Sequence, residues 1–287
     1  MTNNLRPPAT QEQPVAVVTG GGSGIGRALA REAGARGYRV VVVDIDGDRA
    51  EATAAEIRER GVLADAFTCD LTDRNQVDLT AETIGARWGI DLLFANAGVL
   101  VGGRIQDTQA TDMAWMLAVN IAGVFHTVQA CLPLLRGAAR RIVITGSDNS
   151  LSLGENGAYS IYTATKHALL GLADALRRDL CDEGIAVSLL CPGATRTELF
   201  DARRSRQPAY GGALSLSAGE AARIREAIRA SGLQDPALTA RLCFAGIDRD
   251  EFLIVTDPTV RARVERRHAE IMASLDRMDE RLIRYRD

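Results

Sequence analysis

Lysine is almost missing. Of the 34 lysines and arginines in this 287-residue chain, Lys166 is the single lysine. Arginine can serve any surface charge, so a lone lysine marks a position where a planar, permanently charged guanidinium will not do and a compact, tunable ammonium will. Histidine is scarce as well: His126, His167 and His268 share no metal-ligand spacing, which argues against a metal site. The five cysteines, Cys69, Cys131, Cys181, Cys191 and Cys243, form no Cys-x-x-Cys pair and read as free thiols in a reducing cytoplasm. No charge of one sign dominates. A formal net charge of -3, with acids and bases interspersed, gives no electrostatic reason to expect nucleic acid or an anionic membrane as partner. No apolar stretch is expected to approach the roughly 18 to 20 residues that span a bilayer. The opening MTNNLRPPATQEQP lacks the apolar core of a signal peptide, so residues 1–13 read as a disordered lead-in.

What is present is alternation. The runs at 15–19, 39–44, 63–70, 91–98, 141–147 and 185–193 read as strands, with helical patterns near 24–36, 47–60, 73–86, 110–135 and 159–183 between them. Continuously apolar strands alternating with helices predict a doubly wound parallel α/β sheet, one Rossmann-like domain over 14–287. The stretch 195–250, with Pro208, Gly211, Gly212 and Gly232 as breakers, reads as short helices forming a substrate lid. A short strand at 251–255 follows, then a long helix over 258–285 that starts from Asp257 as N-cap and Pro258 in its first turn.

Three patterns carry chemistry. Directly after the first strand, Gly20, Gly22, Ser23, Gly24, Ile25 and Gly26 form a glycine-rich turn opening a helix, a setting in which a pyrophosphate can rest on backbone N–H groups. The second strand ends at Asp44, 24 residues beyond Gly20, where a carboxylate can accept from a ribose 2′-hydroxyl and repel a 2′-phosphate. NAD is therefore favoured over NADP. Tyr162 lies one helical turn before Lys166, on the same face, and an ammonium beside a phenol is expected to lower its pKa and make it a general acid/base.

Together these residues resemble the short-chain dehydrogenase/reductase family over roughly residues 14–200. The glycine turn at 19–26, Asp70, Asn96-Ala97-Gly98, Asn120, Tyr162-x-x-x-Lys166 and Pro192-Gly193 with Thr197 fall in the family's order. The resemblance implies an NAD-dependent oxidoreductase acting on a small-molecule secondary alcohol or ketone, assembled as a homodimer or homotetramer through the helices near 110–135 and 159–183. It implies that Asp70 and Leu71 meet the adenine, that Asn96, Ala97 and Gly98 pass the adenosine ribose, and that Pro192, Gly193, Thr195 and Thr197 hold the carboxamide end. Tyr162 becomes the acid/base, Lys166 binds the nicotinamide ribose, and Asn120 steadies a water that links Lys166 to solvent. The alternatives on this fold are a weakly catalytic dinucleotide sensor or scaffold and an NADP-dependent ketone reductase.

The family's serine stays open at this point. Ser147 ends the fifth strand and takes the role in the natural alignment; Ser150 is the rival, and Asn149 occupies the family's usual spacing of 13 before the tyrosine. Leu151, Leu153, Tyr159 and Phe200 are expected to line an apolar substrate pocket. Arg203, Arg204 and Arg206 either hold an anionic substrate group or form a solvated helix face. In the last helix, Val264, His268, Ile271, Leu275, Met278, Leu282 and Tyr285 follow a 4-3-4-3 spacing. That seam packs on its own subunit or on another. This ending is similar to a family branch that includes dehydrogenases of benzylic and other bulky secondary alcohols.

Overall fold

The computed structural model describes residues 13–135, 140–154, 159–214, 219, 226 and 233–285. Seven strands form one parallel sheet: β1 (Val15–Thr19), β2 (Arg39–Asp44), β3 (Ala64–Thr68), β4 (Leu92–Ala95), β5 (Arg141–Thr145), β6 (Ala186–Cys191) and β7 (Leu253–Val255). Their order is β3-β2-β1-β4-β5-β6-β7. Strand periodicity sends Val15 and Val17 into one apolar layer and Ala16 and Val18 into the other. Each layer is closed by helices: α3 (Arg74–Arg87), α5 (Val124–Cys131) and α6 (Ser160–Asp179) on one face, α1 (Gly24–Ala35) and α2 (Gly47–Arg58) on the other. The strand order reverses between β1 and β4, which leaves a crevice beyond their carboxyl ends, the usual ligand site of an open α/β sheet.

Four expectations change. The helix expected over 110–135 is α4 (Ala110–Leu117), a π-helical stretch at Ala118–Gly123, α5, and a 3-10 turn at Leu132–Leu134. The run Ala110–Leu134 is also long and apolar enough to cross a membrane by length and composition, with a mean hydropathy of 1.5, contrary to the expectation that none is. Here Val124 and Val128 pack on the sheet layer, and Trp115 and Met116 are buried in a separate cluster with Val99, Leu100 and Tyr162. Within the stretch read as a lid, α7 (Pro236–Ile247) is a core helix instead. Ala240, Cys243 and Phe244 are buried against the α1–α2 layer, with the Phe244 and Phe94 rings 5.6 Å apart. Residues 215–232 of that stretch, apart from Gly219 and Glu226, lie outside the described residues, as do 1–12 and 155–158. Finally, α8 (Arg261–Arg284), preceded by a 3-10 turn at Pro258–Val260, does not lay its apolar seam on its own body: Ile271, Met272, Leu275, Met278 and Leu282 are each 44–50% exposed.

Candidate active site

The crevice is an open cleft of roughly 1250 Å³ empty volume at the C-terminal edge of the sheet. Its floor is stitched across three strands. Thr19 Oγ1 accepts from the Asn96 and Ala97 amides at 3.0 and 3.2 Å, the Asn96 side chain donates to the Thr19 carbonyl at 3.0 Å, and its oxygen accepts from Thr145 Oγ1 at 3.0 Å. The side chain of Asn96 is thus spent on holding β1, β4 and β5 together.

At one end lies the glycine turn. Gly20 and Gly24 hold left-handed φ of +64° and +52°, and a Cβ on Gly26 would lie 2.0 Å from the Gly20 carbonyl oxygen and 2.6 Å from Asn96 Nδ2. Only glycine fits there. Ser23 begins α1 without a side-chain cap, and no acid occupies the first turn. The first N–H groups of a twelve-residue helix therefore face the cleft unopposed, a setting for an anion. Asp44 stands beside them, one oxygen accepting from the Gly22 amide at 2.9 Å and the other from the Asp46 amide at 3.0 Å. Gly22 itself does not line the cleft; its amide is turned onto Asp44. Ser23, Ile25, Asp70, Leu71, Ala97, Gly98, Pro192, Gly193, Thr195 and Thr197 do line it. These residues fit a dinucleotide: a phosphate cradle that a Cβ would fill, a carboxylate at the end of β2, and a second acid, Asp70, beyond the end of the neighbouring β3.

At the other end, Tyr162, Ser147 and Lys166 converge. Tyr162 and Lys166 are buried, and Lys166 Nζ lies 5.6 Å from the Tyr162 ring centre while donating to the Thr145 carbonyl at 2.9 Å. Burial lowers the Lys166 pKa to about 8. The Tyr162 phenol, expected to be lowered by its neighbour, is instead raised above its ordinary value, because burial outweighs its hydrogen bond with Ser147 and the Asp148 charge adds to the rise. The lysine's charge is directed at a carbonyl and not at the phenol oxygen. Ser147 Oγ donates to Asp148 Oδ1 at 2.8 Å and accepts from the Asn149 amide at 3.1 Å. Ser150 is fully buried with its oxygen accepting from the Ser147 amide at 3.1 Å, and Asn149 does not line the cleft. Of the three candidates only Ser147 faces Tyr162.

Asn120 is fully buried in the π-helical stretch. Its amide bonds Val99 in both directions, at 2.8 and 2.9 Å, and donates to Thr165 Oγ1 at 3.1 Å. It does not line the cleft, but a Cβ on Gly98 would sit 3.4 Å from Asn120 Oδ1 and 3.5 Å from Lys166 Nζ, so the two flank one glycine.

The expected substrate residues are not at the cleft. Leu153 is 64% and Phe200 42% exposed, and Leu151 packs on the core behind the serine loop. Tyr159 is not helical: it precedes α6 with φ −136°, ψ 42°, and packs against the cluster that holds Val99 and Trp115. The wall itself is Val99, Trp115, Val119, Leu199 and Ala202, which the sequence did not single out. Arg203 is exposed, as a solvated face would have it, whereas Arg206 is buried. Both pair with Asp112, Arg203 at 3.3 Å, and Arg206 also stacks over Trp115 with 4.8 Å to the ring centre. Arg204 lines the cleft with its guanidinium held by the Glu198 and Asp201 carbonyls at 3.0 and 2.8 Å. Gln207 accepts from Trp115 Nε1 at 2.8 Å and donates to Asp70 at 2.7 Å, drawing the lid across the crevice. A glutamine 137 residues from its carboxylate partner gives no local signal.

Comparison with known proteins agrees with this geometry. Residues 14–208 match the short chain dehydrogenase family model. The chain is 38% identical over 212 residues to a 1-deoxy-11-beta-hydroxypentalenate dehydrogenase of Streptomyces exfoliatus, covering 72% of this chain and 76% of that protein. It is 28% identical over 271 residues to a C alpha-dehydrogenase of a Sphingobium species, covering 93% and 88%. Among solved structures, a short chain dehydrogenase/reductase from Burkholderia phymatum in complex with NAD superposes with a TM-score of 0.81 at 33% identity, over 92% of this chain and 95% of that one.

Proposed function

The chain belongs to the short-chain dehydrogenase/reductase family, and from that premise we propose that it transfers a hydride reversibly between NAD and a secondary alcohol or ketone with an apolar or aromatic body. That it is an oxidoreductase acting on hydroxyl or keto groups follows from the family. The finer reading rests on one observation: a buried phenol, a serine hydroxyl and the chain's sole lysine gathered at the apolar end of a cleft whose other end is a phosphate cradle.

When bound, the dinucleotide supplies the hydride acceptor and a positive charge. Gly20 and the open N-terminus of α1 would hold its pyrophosphate, Asp44 a ribose hydroxyl, Asp70 and Leu71 the adenine, and Pro192 to Thr197 the carboxamide end. Asp44 supports NAD over NADP, because a 2′-phosphate brought to that carboxylate meets like charge. Tyr162 accepts the hydroxyl proton in oxidation, and Ser147 steadies the substrate oxygen. Lys166, with a pKa close to neutral pH, would hold the nicotinamide ribose and pass protons onward, with Asn120 beside it at Gly98. Trp115, Val99 and Leu199 give the substrate an apolar wall. A homodimer or homotetramer is supported by Met113, Leu117 and Phe125, exposed on α4 and α5. Five free thiols suit a cytoplasmic setting.

The test is NAD reduction against aromatic, steroid, polyol and hydroxy-acid alcohols, with Tyr162→Phe alongside. We expect turnover with a bulky apolar secondary alcohol, and a loss of about 10²-fold or more in Tyr162→Phe with NAD still bound. NAD binding without turnover of any class would instead support a dinucleotide sensor.

A further inference from the structure

The C-terminal helix touches the body at its first turn, and that turn lands beside the reacting end of the cleft. Arg263 on α8 donates to Asp148 Oδ2 at 2.6 Å and to the Leu153 carbonyl at 3.3 Å. The other oxygen of Asp148 accepts from the Ser147 hydroxyl and the Asn149 amide, both at 2.8 Å. Ser147 and Tyr162 line the same cleft, where the serine hydroxyl eases ionisation of the phenol and the Asp148 charge opposes it. The ion pair is well shielded, with 13% of the Arg263 side chain and 17% of the Asp148 side chain exposed, whereas the neighbouring-residue pair Arg178–Asp179 shows 78% and 58%. Shielding makes a charge-assisted bond stronger and its loss more costly.

We propose that Arg263 is a positioning residue for the Ser147–Tyr162 pair, acting through the carboxylate of Asp148. This rests on the reading of Tyr162 as the proton acceptor. An unpaired carboxylate one hydrogen bond from Ser147 would hold the serine proton more tightly and oppose a phenolate two bonds away. The guanidinium cancels that charge. The other charged or titratable groups around Tyr162 are accounted for within their own surroundings. Lys166 on α6 donates to Thr145, and burial pushes the Cys191 thiol on β6 up to about 12, which keeps it neutral. On the lid, Glu198 pairs with Arg204 and Arg49; behind Trp115, Asp112 pairs with Arg203 and Arg206. His167, on α6, bonds the Thr163 carbonyl. Among the described residues near the phenol, Asp148 is the acid whose neutralisation comes from the C-terminal helix.

The test reads the ionisation of Tyr162 in NAD-saturated protein as tyrosinate absorbance, each protein minus its Tyr162→Phe counterpart, beside the pH profile of kcat/KM. Arg263→Ala should raise both midpoints by about one pH unit while the NAD Kd stays within about twofold. Arg263→Lys, which keeps the charge, should stay near wild type. In an Asp148→Asn background Arg263→Ala should add no further shift. A midpoint unmoved in Arg263→Ala of native circular dichroism overturns the proposal, and so does a shift that persists with Asp148→Asn. Either result would reduce Arg263 to an anchor for α8. If wild-type protein oxidises none of the alcohols yet the tyrosinate midpoint shifts as expected, the proposed substrate class fails while the coupling of Arg263 to Tyr162 through Asp148 stands.

Discussion

At the scale of residues, Asp44 has two jobs that a substitution would separate. It fixes the glycine turn through the Gly22 amide, and under the proposed function it would meet the ribose 2′-substituent of the cofactor. Arg49 stands close by, its Cβ near Gly22 and its guanidinium paired with Glu198 and Asp46. Asp44→Ala removes one of the carboxylates acting on Arg49 and leaves its pairs with Glu198 and Asp46 in place. We expect the NAD Kd to rise roughly tenfold, the scale of a lost hydrogen bond to a charged group, and the NADP Kd to fall relative to it. Both constants come from fluorescence titration, and an unchanged ratio removes Asp44 from the cofactor site. The acid at the end of β2 was readable from its place in the sequence. Arg49 was not, because its relevance depends on how α2 leans over the turn.

At the scale of elements, two helices departed from expectation for different physical reasons. Nothing in the composition of Ala118–Gly123 marks a π-helical turn, yet the wider turn is where the Asn120 amide meets Val99 and Thr165. The α8 seam was legible as a 4-3-4-3 stripe, but a stripe states only that something apolar should cover it. On the described body nothing does. Deleting residues 269–287 keeps the Arg263 contact and removes most of the stripe. We expect the melting temperature to change by no more than about 2 °C, since little buried area is lost. If the stripe joins subunits, the mass seen by light scattering should drop by more than the deleted residues. A large fall in melting temperature at unchanged assembly would mean that α8 packs on its own subunit in solution.

At the scale of the whole molecule, the sheet was legible because parallel strands buried on both faces are apolar over most of their length, as β1, β2, β5 and β6 are. The cleft's phosphate end was legible too, since glycine is required where a backbone approaches another closely. What the sequence withheld were partnerships across long separations: Arg263 with Asp148, 115 residues apart, Gln207 with Asp70, and Arg206 with Asp112. Each involves polar residues that a linear reading treats as surface. α7 was misread as part of a lid because its apolar face is short and flanked by breakers, so only the sheet beneath it reveals its place.

The burial of Lys166 has one more consequence, which concerns proteolysis. A protease that cuts after lysine finds a single bond in this chain, Lys166–His167, and yields fragments of 166 and 287 − 166 = 121 residues. That bond lies inside α6, with the lysine 3% exposed. Cleavage therefore has to wait for α6 to leave the sheet, so its rate counts how often the centre of the protein opens. Native protein should survive conditions that clip the urea-denatured chain at once. If the cofactor binds the folded state alone, saturating NAD should slow the cut in proportion to its concentration over Kd. Rapid clipping of the native protein, indifferent to NAD, would mean that α6 opens without disturbing the cleft.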